Sequence, residues 1–404
     1  MIGASGTIVQ LVTQREAAGA QAVAAALHVG LLEAGIPAQL WFWYRKGNAF
    51  QDLPHTFDFL DHPWRPLDLR GVLSNYLRAL RTHRPRAIIA HTHYASAIGL
   101  PLARIAGVPQ RIAVHHNATH TYPLAAWLLD RLASSVNAFS SEVAVADHVI
   151  SSLKGRSVIR IYNGIGASGD CPTKEEARSL LGLPLTLQVA VNVARLSDQK
   201  NQALLISCLR SAPHYHLVLI GEGEKREELK ALAFKRGVSD RVTFTGSLPP
   251  SQVRLWLSAA DKFLFPSRFE AMPVALLEAM QAGLPIIASD IPAHRELSGG
   301  ALQLLPLSEP LWAKALLDPA HDTTAQKLRS AEFTPQRMTE AYMALLSSPE
   351  RITAGGQREI VRPSSQTQSH HVSLDKKQSS TISSLLVQGP VARVQRGPVR
   401  ERCL

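Results

Sequence analysis

The sequence is short of several features, and each absence removes a class of protein. It holds no run of 18 or more apolar residues, so no membrane-spanning helix is expected. Its start, Met1-Ile2-Gly3-Ala4-Ser5-Gly6, has no basic stretch before the strand-like run that follows, which argues against a secretory leader. The three cysteines in 404 residues, Cys171, Cys208 and Cys403, are far apart and odd in number. They offer neither a zinc spacing nor a disulfide framework, and a reducing cytoplasm is the expected setting. No zinc-finger, RNP or basic-helix pattern occurs, so nucleic acid is not an expected partner.

What is present points to a globular enzyme. A chain of 404 residues exceeds what one core usually accommodates, so two domains are expected. Hydrophobic residues make up 46% and charged residues 19%, a globular balance. The formal net charge is +11, of which residues 351–404 carry +6 through nine Lys/Arg against three Asp/Glu. The +5 left on residues 1–350 suits anionic substrates or an anionic membrane surface.

Along the first half, apolar strand-like runs alternate with helical spacing. Thr7–Val12, Ala38–Tyr44, Arg86–His91 and Arg111–His115 read as strands, and Gly19–Ala34 reads as a helix that Gly35 can stop. After a pause from Tyr162-Asn163-Gly164 to about Glu176 the alternation restarts, with strands at Leu187–Val193, His216–Gly221, Arg241–Gly246, Lys262–Pro266 and Pro285–Ser289. Such alternation predicts βαβ units and parallel sheets. The expected organisation is an α/β domain over 1–165, a second over 166–334, a closing amphipathic helix within 335–350, and a disordered tail over 351–404 that is rich in Ser, Gln, Gly, Pro and Arg.

The residues that can carry chemistry cluster in the second half. Glu270 and Glu278 flank a loop in which Pro273 is expected to open a helix and Gly283 to end it. Glu278 then sits among Val274, Ala275, Leu276, Leu277, Ala279 and Met280. A carboxylate in such surroundings is costly unless paired, and two vicinal ribose hydroxyls would satisfy it. Read alone, it also fits a solvated helix residue or a structural ion pair. Arg195 and Lys200 follow the first strand of this half, where open α/β sheets bind ligands, and their charges suit a diphosphate. Read alone, two loop cations are also simply solvated. In the first half, His115 and His116 end a strand, and His91 and His93 form a His-x-His for which no third metal ligand is identifiable.

Taken in order, Tyr162-Asn163-Gly164, Arg195…Lys200, Ile220-Gly221-Glu222-Gly223, Phe244-Thr245-Gly246 and the E-x7-E pair Glu270…Glu278 resemble the GT4 family (glycosyltransferases group 1) over roughly residues 7–348. That resemblance implies a GT-B fold of two facing Rossmann-like domains and a retaining sugar transfer from a nucleotide-sugar donor, UDP- or GDP-linked, to a glycan or lipid-linked acceptor. It implies that Glu278 binds the ribose, that Glu270 contacts the transferred sugar, and that Arg195 and Lys200 hold the diphosphate. The backbone of Ala271-Met272-Pro273 would lie against the phosphates or sugar, His116 (or else His115) near the sugar, and Gly19 where the backbone must approach a ligand. No further cofactor and no metal are expected. No two aspartates are separated by one residue, so the Asp-x-Asp metal motif of the other large glycosyltransferase fold is missing. Cell-surface polysaccharide synthesis, with contact to an anionic membrane, is the expected setting. The rival readings are a nucleotide-sugar epimerase on the same fold and a non-catalytic sugar- or membrane-binding relative.

Overall fold

The computed structural model describes residues 6–16, 18–166, 172–319 and 322–347. Cys171, Cys403 and the expected tail over 351–404 lie outside the described residues. Seven strands build the first sheet: β1 (Ile8–Arg15), β2 (Ala38–Arg45), β3 (Thr56–Asp58), β4 (Ala87–Ala90), β5 (Gln110–His115), β6 (Ser141–Ala144) and β7 (Val158–Arg160). All pair in parallel, in the order β3-β2-β1-β4-β5-β6-β7. Six strands build the second: β8 (Gln188–Val193), β9 (Tyr215–Ile220), β10 (Val242–Gly246), β11 (Lys262–Phe265), β12 (Ile286–Ser289) and β13 (Gln303–Leu305). They too are parallel, in the order β10-β9-β8-β11-β12-β13. The architecture is two Rossmann-like α/β domains, the GT-B arrangement.

Helices cover the sheets, so the central strands are apolar on both faces, as parallel sheets require. Ile8, Val9, Leu11 and Val12 in β1 are fully buried, as are Val189, Ala190 and Val191 in β8. β1 runs three residues beyond the apolar stretch that announces it, because Arg15 is itself buried and pairs with Asp58 of β3 at 3.1 Å. In each sheet the strand order reverses at one place, between β1 and β4 and between β8 and β11. Crevices at the carboxyl ends of such switch points are where open α/β folds bind ligands.

The chain crosses between the domains twice, and the crossings lie side by side. Ile165 donates its N–H to the Phe333 carbonyl at 3.1 Å, and Tyr162 meets Phe333 edge to face. A Cβ on Gly164 would fall 2.4 Å from the Thr334 carbonyl oxygen, so only glycine lets the two segments touch. The second crossing leads into the helix Pro335–Ser347, which returns to the first domain. There Thr339 packs on Gly30, and the Leu346 carbonyl accepts from Gln110 at 2.9 Å. Among the described residues no helix is long and apolar enough to cross a membrane.

Candidate functional site

The loop after β8 is held from beneath. Ala194 and Leu196 donate to the Ile220 and Glu222 carbonyls at 3.0 and 2.9 Å. The contact is so close that a Cβ on Gly221 (φ +139°) would lie 2.1 Å from the Ala194 oxygen. The loop therefore has a fixed path, while the Arg195 side chain projects exposed, with no hydrogen bond or ion pair among the described residues. Lys200, its side chain 17% exposed, forms an ion pair with Glu270 and lies 5.3 Å over the Phe265 ring.

Glu270 belongs to the segment after β11, which is laced to the β8 loop. Arg268 donates its N–H to the Gln199 carbonyl and Gln199 donates its amide to the Phe269 carbonyl, both at 2.8 Å. Ala271, Met272 and Pro273 are buried beneath the loop. Pro273 is not the first helical residue, as expected from its fixed φ, but the N-cap with ψ 113°; the helix runs Val274–Gln281, and Gly283 follows it with φ +70°. Leu276, Leu277, Ala279 and Met280 anchor that helix in the core. Glu278 stands half-buried on it and makes no hydrogen bond or ion pair among the described residues. Burial raises its carboxyl to about 7, with Arg254 of the Pro250–Ala259 helix pulling the other way.

In the first domain the two adjacent histidines part. His115 is buried, its Nε2 2.9 Å from Glu142 of β6 and its Nδ1 3.2 Å from the Tyr122 hydroxyl. Glu142 and Asp130 also hold Arg156, at 2.9 and 2.6 Å. This is a closed internal network. His116 turns the other way, with Nε2 3.2 Å from His91 Nδ1. His91 Nε2 in turn lies 2.6 Å from the Gln10 amide oxygen. Because that oxygen accepts, His91 carries hydrogen on Nε2, its Nδ1 accepts from His116, and the His116 Nδ1 is left as a lone-pair acceptor. Burial, with His115 adding, pushes His116 down to about 3, so it is a neutral imidazole at pH 7. His93 lies against Tyr94 and Tyr122. Among the described residues no three acidic, His or Cys side chains are grouped to hold a metal. Gly19 starts the first helix, and a Cβ there would meet nothing, so its surroundings are open.

An inter-domain cavity of about 470 Å³ is lined by Asn117, His120 and Thr121 from the first domain and by Gln199 and Phe269 from the second. Each of Asn117, Gln199 and Phe269 is the chain neighbour of a candidate: His116, Lys200 and Glu270. A larger cavity, about 910 Å³, lies at the opposite edge of the second sheet, beside Gln188, Lys262 and Pro285. Those are strand beginnings, the wrong end for an open α/β site, and Lys262 there is spent on the carbonyls of Ala315, Leu316 and Asp318.

Comparison with known proteins falls on this same region. Residues 173–300 match the family described as glycosyl transferases group 1. The match falls within the second Rossmann-like domain. A relative in Bacillus subtilis (strain 168), a putative teichuronic acid biosynthesis glycosyltransferase, is 29% identical over 63% of this chain and 66% of its own length. A second, the putative glycosyltransferase EpsF of the same organism, is 28% identical over 60% of this chain and 68% of its own. Among solved structures, Anabaena HepE in complex with UDP and glucose superposes with a TM-score of 0.73, at 19% identity over 84% of this chain and 99% of that one. At that identity the likeness speaks to the fold.

Two residues of these networks carry no local signal in the sequence: Gln10 sits inside a strand-like run, and His148 is the second residue of a six-residue helix, Asp147–Ser152, that no periodicity announces.

Proposed function

We propose that the protein transfers a sugar from a nucleotide-sugar to an acceptor in the cleft between its domains, with retention at the anomeric carbon, as a member of the GT4 group. The observation that carries this reading is Glu278, a half-buried carboxyl with no protein hydrogen-bond partner among the described residues, on the helix entered from the Glu270 loop. Two vicinal ribose hydroxyls would supply its missing bonds. Arg195, unpaired and exposed on a fixed loop, would neutralise the diphosphate of a UDP- or GDP-linked donor, and Lys200 would share its charge between Glu270 and the departing nucleotide. Glu270 would take hydroxyls of the transferred sugar, with the Ala271-Met272-Pro273 backbone beside it. His116 would present its free Nδ1 as an acceptor, and the open surroundings of Gly19 leave room for ligand. Neither a metal nor a further cofactor enters the reading, since the two cations serve as the electrostatic catalyst.

The acceptor would be a glycan or a lipid-linked sugar, in keeping with the teichuronic acid role named for one relative. A cytoplasmic protein resting on the inner face of an anionic membrane fits that role. Exposed Leu124, Leu128 and Leu132 on the Leu124–Ser135 helix, with the net positive charge, support such contact. A thermal-shift screen of nucleotide-sugars followed by product analysis tests the reading. A donor at 100 times its Kd stabilises the protein by about 2.7 kcal/mol. No stabilisation by any nucleotide-sugar would overturn it, and an epimerised donor without transfer would favour the epimerase.

A further inference from the structure

The Glu270 loop is tied to both domains, through different atoms. Its carboxylate and the preceding peptide are bonded within the second domain, to Lys200 and Gln199. Its own carbonyl oxygen is bonded to the first domain, 2.9 Å from His148 Nε2. The other side of the His148 ring faces the second domain again, with Nδ1 3.4 Å from Glu296 Oε2 in the helix Pro292–Ser298. Glu296 is itself fixed across the domain boundary, since its Oε1 accepts the Asp147 N–H at 2.7 Å. Tyr162 also bonds Glu296, and Arg160 stacks 4.9 Å over the Tyr162 ring while pairing with Asp147 at 2.7 Å. The His148 and Glu296 side chains are 21% and 15% exposed, so these bonds form largely out of water.

The chemistry of the ring is constrained. A carbonyl only accepts, so Nε2 carries the hydrogen that meets the Glu270 oxygen, while Nδ1 faces the Glu296 carboxylate. Burial opposes ionisation of Glu296, but its bonds to His148 and the Asp147 N–H outweigh that and hold the carboxyl below the usual range. The donor to the Glu270 carbonyl comes from the first domain, whereas the Gln199 and Lys200 contacts lie within the second. The first domain thus acts on Glu270 through one ring.

We propose that His148 is a positioning residue for sugar transfer: closing the first domain on the second seats its ring on the Glu270 carbonyl, Glu296 holds the ring there, and Glu270 is aligned on the donor only in that state. The proposal rests on the glycosyl-transfer reading. It is tested by release of UDP from UDP-glucose or of GDP from GDP-mannose, whichever the wild-type protein turns over, with nucleotide Kd and Tm measured alongside. H148A is expected to lower kcat by about tenfold with the nucleotide Kd within about twofold and Tm unchanged. H148Q, whose amide can still donate to the carbonyl, recovers to within about threefold of wild type. E296Q keeps the acceptor for Asp147 but loses the charge facing the ring, and falls between the two. Wild-type rates in H148A or in E296Q, a H148Q as slow as H148A, or a loss matched by weaker nucleotide binding, a lower Tm or failure to fold would make His148 structural and overturn the proposal. A wild-type protein that binds and turns over no nucleotide-sugar fails at the earlier reading instead, and takes this one with it.

Discussion

Replacing Glu278 with Gln should stabilise the ligand-free protein at pH 8 and leave it unchanged at pH 4. Burial raises the folded-state carboxyl from 4.5 to about 7. A raised pKa means that the folded state binds the proton more tightly than the unfolded one. The contribution is fully present below pH 4.5 and is lost as pH rises through 7. At about 1.4 kcal/mol per pH unit, the wild type gives up at most about 3 kcal/mol by pH 8, less whatever water at the half-exposed edge screens. Gln keeps the shape and never ionises, so it escapes that loss. Urea unfolding of wild type and E278Q at pH 4, 6 and 8 reads the difference directly. The gap should be near zero at pH 4 and open as pH rises, with E278Q the more stable. An equal gap at all three values, or a less stable E278Q at pH 8, would refute the claim that this carboxyl lacks a protein partner.

Arg195→Ala should leave Tm within about 1 °C, because the side chain is exposed and unpaired, yet weaken nucleotide-sugar binding by about tenfold or more; titration calorimetry beside a melting curve checks both halves. The two adjacent histidines should separate by assay. H115A strands the buried Glu142 beside Arg156 and should cost about 2 kcal/mol of stability in denaturant unfolding. H116A should lower transfer while costing less stability, and the opposite pattern would mean that the cleft faces the other ring.

The sequence announces the parts of this fold that are apolar on both faces. β8 and β11 read as strands because Val189, Ala190, Val191, Phe263 and Leu264 are all buried. β6 does not, because Glu142 interrupts it, and His115, Arg156 and Ser134, none of them its chain neighbour, make a charge tolerable there. β3, β7 and β13 are three residues each, too short for any period to show. At the candidate site, Glu270, Glu278, Arg195 and Lys200 can be picked out from spacing and from where strands end. Their partners cannot. The inward pairing of His115, which parts it from His116, depends on Glu142, 27 residues away, and His148 meets Glu296 across 148 residues. Contacts of that reach leave no local trace. Pro273 shows the limit at one residue: its fixed φ suits a helix start, but its ψ of 113° leaves it just outside.

The most direct test of the donor assignment is titration calorimetry of wild type and Glu278→Ala with UDP and with GDP. The account predicts that wild type binds one of the two, and that E278A loses at least about a hundredfold in affinity, since the ribose hydroxyls forfeit a charged acceptor in a partly dry site. Unchanged affinity in E278A would contradict it.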